Sequence, residues 1–454
     1  MSFLDNIRNS ARTWLGISDT DKDEFYERQK EIALRRDYRM GWQRKPLVTK
    51  YGQPDDNLLV NFTGLIIDRS VSLLFGQGIE FDLPGDGETP EQQYIDKVWE
   101  LNKKSIFLHK WGLLGSESGT GYIKIVPDGV FDKDGTAYPR LIPLDPLYMT
   151  METTPHDVDT VIRYIIRYNY DGPDGKLVAF KEVIEEGAKS GWVITDYEDR
   201  GGGFEMVGKP VKWEYNWANI SHNQNLPAAG GPYGQPDITD DVVMMQDRLN
   251  FIASNISKII RYHAHPRTYT MGAGAMSKET WGPDQIVQFG NADGKIANLE
   301  MQSDLASSQN FFLTIRQALF DITRTVDIDS VADKLGALTN FGLKVLYNDA
   351  LAKVNSKREL YGDALLDLNS RLLEMNGMDN DPGEIVWPDV LPVNGMELSS
   401  ELQQDLGMGI LDKQSAALIK GYDWEQVQER LGEEGEENND VGTAILNAFN
   451  RGRE

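Results

Sequence analysis

The sequence predicts an α+β protein, and three observations carry that reading. Segments alternating apolar and polar residues gather between residues 161 and 217, the two-residue period of half-buried antiparallel strands. From residue 237 onward, three long runs place apolar residues three and four apart, which lines one face of a helix. A proline- and glycine-rich stretch, 226–236, separates the two textures and punctuates the chain.

Taken in order, residues 57–75 carry Leu58, Phe62, Leu65, Ile66 and Leu73 and end at Gly76 and Gly78, which predicts a helix with a glycine stop. A second helix is expected over 106–114, and residues 119–126 read as a turn into a strand. Strands follow at 161–170, 177–183, 192–197 and 211–217, broken by the glycine-bearing turns 171–175 and 201–203.

The first long run, 237–261, has a seam of Val242, Met245, Leu249, Ile252, Ile256 and Ile259, with Asp240, Asp247, Ser254 and Arg261 opposite. Asp237 or Thr239 can cap it, and at 1.5 Å per residue it forms a rod of roughly 37 Å. The second run, 303–326, can start on Ser303 and carries Leu305, Phe312, Ile315, Leu319, Ile322 and Val326. Such seams either pack within one chain or are shared with a neighbour; Val243, Phe251, Phe311 and Leu313 flank them and would be left in water by a lone pair of helices. Between the rods lies an insert, 263–302, with strand-like pieces at 268–271, 285–289 and 295–301. An Asp- and Gly-bearing stretch, 327–342, leads to a third long helix whose stripe runs from Leu343 and Leu346 through Ala350, Val354, Tyr361, Leu365, Leu368 and Leu372 to Met375. It ends at Asn376 and Gly377, where a C-cap belongs. Short helices are expected at 398–406, 415–420 and 424–431, ahead of an acidic linker over 432–440.

Composition excludes several chemistries. The 454 residues carry 46 Lys and Arg against 71 Asp and Glu, a formal charge of −25, so bulk attraction to nucleic acid phosphate is not expected. There is no cysteine, hence no disulfide, thiolate metal site or thiol nucleophile. The glycine-rich 115–121 lacks the Gly-Lys-Ser/Thr that closes a nucleotide-binding loop, and its serines are not centred as a nucleophile elbow requires; a turn before a strand accounts for it. His263 and His265 read as polar residues at a helix end, and Asp132–Gly135 and Asp379–Asp381 as turns, since neither continues as a calcium loop. No catalytic residue, metal or cofactor is assigned. The basic run Arg35, Arg36, Arg39, Arg44 and Lys45 reads by default as a solvated face, with pairing to acidic groups as the alternative. No run reaches the ~20 apolar residues of a spanning helix, so no membrane is expected.

The order of these elements resembles the portal proteins of long-tailed bacteriophages over nearly the whole chain. Local patterns agree: the stretch from Asn57 to Arg69 leading to Leu74-Phe-Gly-Gln-Gly78, Asp247-Arg-Leu-Asn250 early in the first rod, Gly336-Ala-Leu338 before the third helix, and Gly409 to Ala417 with Asp423-Trp-Glu425 near the end. The resemblance implies a portal fold with a mixed α/β wing (1–236), a first stem helix (237–262), a small α/β clip (263–302), a second stem helix (303–326), a tunnel loop (327–342), a long wing-crossing helix (343–378) and a helical crown with tail (379–454). It further implies a homo-oligomeric ring, expected to be a dodecamer, at the portal vertex of the virion, assembled in the host cytoplasm. Terminase, capsid and scaffold proteins and a head-completion adaptor would dock on it, and double-stranded DNA would pass without sequence specificity. The tunnel loop would bring Asp327, Asp329, Asp333, Lys334 and Gly336 nearest the DNA. The competing expectations are a carboxylate hydrolase with a helical accessory domain and another ring or sheath component of a virion.

Overall fold

The protein is described by a computed structural model over residues 19–49, 51, 55–85, 89–173, 175–187, 191–264, 267–271, 295–299, 305–328, 340–391, 395–422, 424 and 427–428. It has mixed α and β structure and divides into two compact units, the first comprising residues up to 330 with 348–390, the second 331–347 with 391–454.

The first unit begins with helices α1 (Asp19–Arg39) and α2 (Phe62–Phe75). The expected helix over 57–75 thus starts five residues late: Asn61 caps it by accepting from the Gly64 amide at 3.0 Å, and residues 57–60 stay outside regular structure. Its buried face is Ile66, Ile67, Val71 and Leu74, whereas Leu58 and Leu65 are exposed. Strand β1 (Glu80–Asp82) follows, then α3 (Pro90–Leu101), capped by Thr89 with proline at its start. Helix α4 (Lys104–Ser118) ends on Gly119 at φ +87°. Hence residues 115–118 are the last turn of a helix, and only Gly119 makes the turn into β2 (Thr120–Phe131).

Two antiparallel sheets then form. Strand β2 lies between β3 (Ala137–Leu144) and β9 (Ile220–Gln224). The second sheet runs in sequence order through β4 (Met149–Thr154), β5 (Asp157–Asp171), β6 (Leu177–Glu186), β7 (Trp192–Asp199) and β8 (Glu205–Lys212). The strand expected at 211–217 is displaced, because β8 ends at Lys212 and the aromatics Trp213, Tyr215 and Trp217 follow it off the ladder. Their rings pack on one another at 4.7–5.6 Å.

The rods are α5 (Asp240–Ala264) and α6 (Leu305–Ile322), with strands β10 (Arg267–Met271) and β11 (Lys295–Leu299) paired between them. The strand expected at 285–289 and the cap Ser303 lie outside the described residues. The third long helix is two helices, α7 (Asn340–Leu346) and α8 (Asn348–Met375). Helix α8 ends as its sequence predicts, with Gly377 at φ +68° and the Met378 amide donating to the Leu373 carbonyl. Strand β12 (Glu384–Val386) then closes a small sheet with β1, Glu80 opposite Val386 and Asp82 opposite Glu384. One core joins Trp99, Trp111, Leu141 and Ile123 to the Tyr361–Leu373 face of α8; another joins α1 and α2 to the roots of both rods.

The second unit contains α7, α9 (Gly395–Met408) and α10 (Lys413–Ile419), the last capped by Asp412 accepting from the Ser415 amide at 3.2 Å. Most of the helix expected over 424–431, and the acidic linker after it, lie outside the described residues.

Candidate functional site: the rod pair and its buried anchor

The first rod begins at Thr239, whose carbonyl accepts from the Val243 amide at 3.1 Å, and Asp240 and Asp241 in its first turn complement the helix dipole. Its seam is graded. Val242, Leu249 and Ile252 are buried, while Met245, Ile256 and Ile259 are only half-buried. In the second rod Leu319 and Phe320 are buried and Phe312 and Ile315 half-buried, but Ile322 is 51 % exposed. Phe320, two residues earlier in the chain, lies inward against Phe62, ring centroids 5.7 Å apart. Val243 is also buried, packing with Ile66 and Ile67 in the root core, and so is not left in water.

The face opposite the first seam does not meet solvent as a plain amphipathic rod would. Gln246, Asn250 and Ser254 are fully buried and act as a polar strip holding the extended segment before α2. Asn250 accepts from the Val60 amide at 2.9 Å and donates to Gln43 at 2.5 Å; Ser254 accepts from the Leu58 amide at 2.9 Å; Gln246 donates to the Val60 carbonyl. Arg261 pairs with Asp56, and Tyr38 donates to Asp247; burial, with this hydrogen bond, raises the phenol pKa. A strip of side chains that satisfies an edge of bare backbone fixes the rod in rotation and height.

Below the rod, Asp237 is not a cap. Its carboxylate is 0 % exposed and receives two ammonium groups from α8, Lys357 at 2.6 Å and Lys353 at 2.9 Å. Lys357, also 0 % exposed, donates to Ser70 of α2 at 2.9 Å and Ser116 of α4 at 3.2 Å, while Lys353 reaches the Thr323 carbonyl at the end of the second rod at 3.1 Å. Burial alone would push the Asp237 carboxyl up, yet the two lysines hold it well below the usual carboxylate range. Burial lowers Lys357 to about 8 against the pull of Asp237. The cluster therefore ties both rod roots, α2 and α4 to one helix.

The glycine-rich 115–121 belongs to this anchor. A Cβ on Gly115 would lie 2.0 Å from the Tyr361 hydroxyl, which donates to Asn225 at 3.0 Å. Glu117 is buried and paired with Arg36 at 2.8 Å and Arg39 at 3.2 Å, and Arg36 also grips Asp145 through two 2.8 Å bonds. Arg35 reaches Glu31 and Asp240. This part of the basic run is thus a set of internal ion pairs and not a solvated face.

At the foot of the second rod the chain turns through Arg324, φ +53°. Arg69 donates to the Val326 carbonyl at 2.8 Å, and Arg316 pairs with Asp327 at 2.5 Å. The Asp327 carboxylate is only 13 % exposed, held against the second rod by this pair. Asp329, Asp333, Lys334 and Gly336 lie outside the described residues. Phe251, Phe311 and Leu313 stand 37 %, 45 % and 47 % exposed as expected, with the Arg248 guanidinium 5.3 Å from the Phe251 ring and 5.8 Å from the Phe311 ring. Among the described residues no helix is long and apolar enough to cross a membrane, and no cluster of three or more His, Asp or Glu is placed to hold a metal; His265 lies outside them. Asp132 is a turn residue, accepting from the Asp134 and Thr136 amides.

Comparison with known proteins adds the family. A family model described as "Phage portal protein, SPP1 Gp6-like" matches residues 20–440. Among solved structures, one described as "Neck of native GTA particle computed with C12 symmetry" aligns with 80% of this chain and 91% of its own, at 14% identity and a TM-score of 0.40. No curated protein matches.

Proposed function

Since this chain belongs to the phage portal protein family, SPP1 Gp6-like, we propose that its copies close into a ring at one capsid vertex. The ring is the channel for genome packaging and ejection and the platform on which terminase, capsid and scaffold proteins and a head-completion adaptor dock. The family is a structural one, and we read the chain as non-catalytic, with ATP hydrolysis supplied by a partner.

The observation that favours a ring is the uncovered outer side of the rods. Phe251, Phe311, Leu313 and Ile322 stay exposed although their neighbours on the same helices are buried, and apolar surface of this kind marks an interface. A head-to-tail contact that repeats about an axis closes without leaving an end. Twelve chains at −25 each would carry a formal −300, a wall that lets DNA slide because it does not grip phosphate.

Light scattering on the purified chain tests this: a species near 614 kDa, twelve times 51.2 kDa, with an axial hole in negative stain is the expected result. A monomer at all salt and protein concentrations contradicts it. Within the ring, Lys334→Glu is expected to slow packaging; an unchanged packaging rate removes Lys334 from the DNA-contacting set.

A further inference from the structure

A cavity of about 570 Å³ opens where α3, β2, β3, the segment after β8 and the end of α8 meet. Its walls are aromatic. Tyr94 and Tyr138 form one pair, centroids 6.0 Å apart, and Trp213 and Tyr215 the other, 5.5 Å apart. Its rim is acidic: Asp128 and Glu214 both line it and both are exposed, against a single Lys212. Asp128 is presented by a register shift in β2 between Val126 and Val130 and sits at φ +50°. A bulge of this kind re-aims a side chain out of its ladder.

The same aromatic ladder already seats a cation at its other end. Tyr215 stacks on Trp217 at 4.7 Å, and the Arg371 guanidinium lies 5.2 Å from the Trp217 ring. The pocket thus repeats, open to solvent, an arrangement the protein uses internally: ring faces with carboxylates nearby. Aromatic faces attract a cation through their quadrupole, more strongly when it is partly desolvated, and a net-acidic rim favours the same charge.

We propose that this pocket is a docking site for a basic peptide segment of a partner protein, which inserts an arginine or lysine side chain between the Tyr94–Tyr138 and Trp213–Tyr215 pairs under Asp128 and Glu214. The chain's −25 charge steers such a partner towards it. This assignment goes beyond the ring reading and does not depend on it.

The test is fluorescence anisotropy of a labelled nonapeptide of alternating arginine and lysine with the full chain in 0.15 M salt. Binding is expected to weaken about tenfold in the double variant Asp128→Asn, Glu214→Gln and in Tyr215→Ala. It should be unchanged in Glu205→Gln, an exposed acid of β8 away from the pocket. Asparagine tolerates the positive φ at 128, so the double variant is expected to keep its thermal midpoint. No binding, equal loss in Glu205→Gln, or equal binding of a peptide with citrulline and norleucine in place of the charged residues overturns the proposal. So does displacement of the peptide from all variants alike by spermidine.

Discussion

Lys357 occupies a slot of the apolar stripe of α8, between Val354 and Tyr361, and its ammonium would be intolerable there without Asp237. Removing one member of a buried pair leaves an unpaired charge, so Asp237→Ala, which strands two ammonium groups, is expected to cost about 3–5 kcal/mol, read as a lowered thermal midpoint. In a double-mutant cycle with Lys357→Met the combined loss should fall short of the sum; additive losses would show that the two do not interact. His222 gives a pH signature. Burial, with Arg371 nearby, holds it neutral and lowers its pKa to about 4, while Asp367 and Asp159 oppose; Tyr164 lies 2.8 Å from Nδ1. Between pH 6.5 and 4 the unfolded chain therefore binds the extra proton, and stability falls as pH falls through that window, by up to about 3 kcal/mol for this group. His222→Gln should flatten that part of a midpoint-against-pH curve, and an unaltered slope would refute the assignment.

The elements show where local pattern suffices. Gly119, with φ +87°, and the close approach at Gly115 explain a glycine-rich stretch that carries no nucleotide chemistry. Gly115→Ala is expected to destabilise the chain by about 1–3 kcal/mol through overpacking against Tyr361. Tyr361→Phe in the same chain should restore part of it, and an equally stable Gly115→Ala chain would place the constraint elsewhere. The two rods were legible because their seams follow the helical period over many turns. The helix at 19–39 was not, since its charged residues mask the period; Arg36 and Arg39 face inward only because Glu117 and Asp145 are there to meet them. Gln246, Asn250 and Ser254 look like an ordinary polar face for the same reason: their partner is backbone of a segment that the helical pattern of residues 57–75 had absorbed.

For the whole molecule the prediction concerns assembly. Phe311→Ser with Leu313→Ser should lower the ring fraction in light scattering while leaving the unfolding free energy of the dissociated chain within about 0.5 kcal/mol of the parent, as surface substitutions do. A ring fraction that is unchanged would move the subunit contact away from the rods. The seams themselves proved divided. Val242, Leu249 and Leu319 are core of a single chain, whereas Ile322 and the flanking Phe251 are exposed.

Periodicity, glycine stops and caps act over a few residues, and these the sequence by itself determined: the α+β class, the two rods, the helix ending at Gly377 and the order of elements that places the chain among phage portal proteins. What only the tertiary structure decided are the long-range pairings. The Asp237 carboxylate found Lys357 across 120 residues, β1 found β12 across the length of the first unit, and the aromatic rings of residues 94, 138, 213 and 215 came to line one cavity. The physical reason is that a buried charge or an edge strand needs a partner but does not specify which one, and that choice is made only when packing brings one candidate within hydrogen-bond distance.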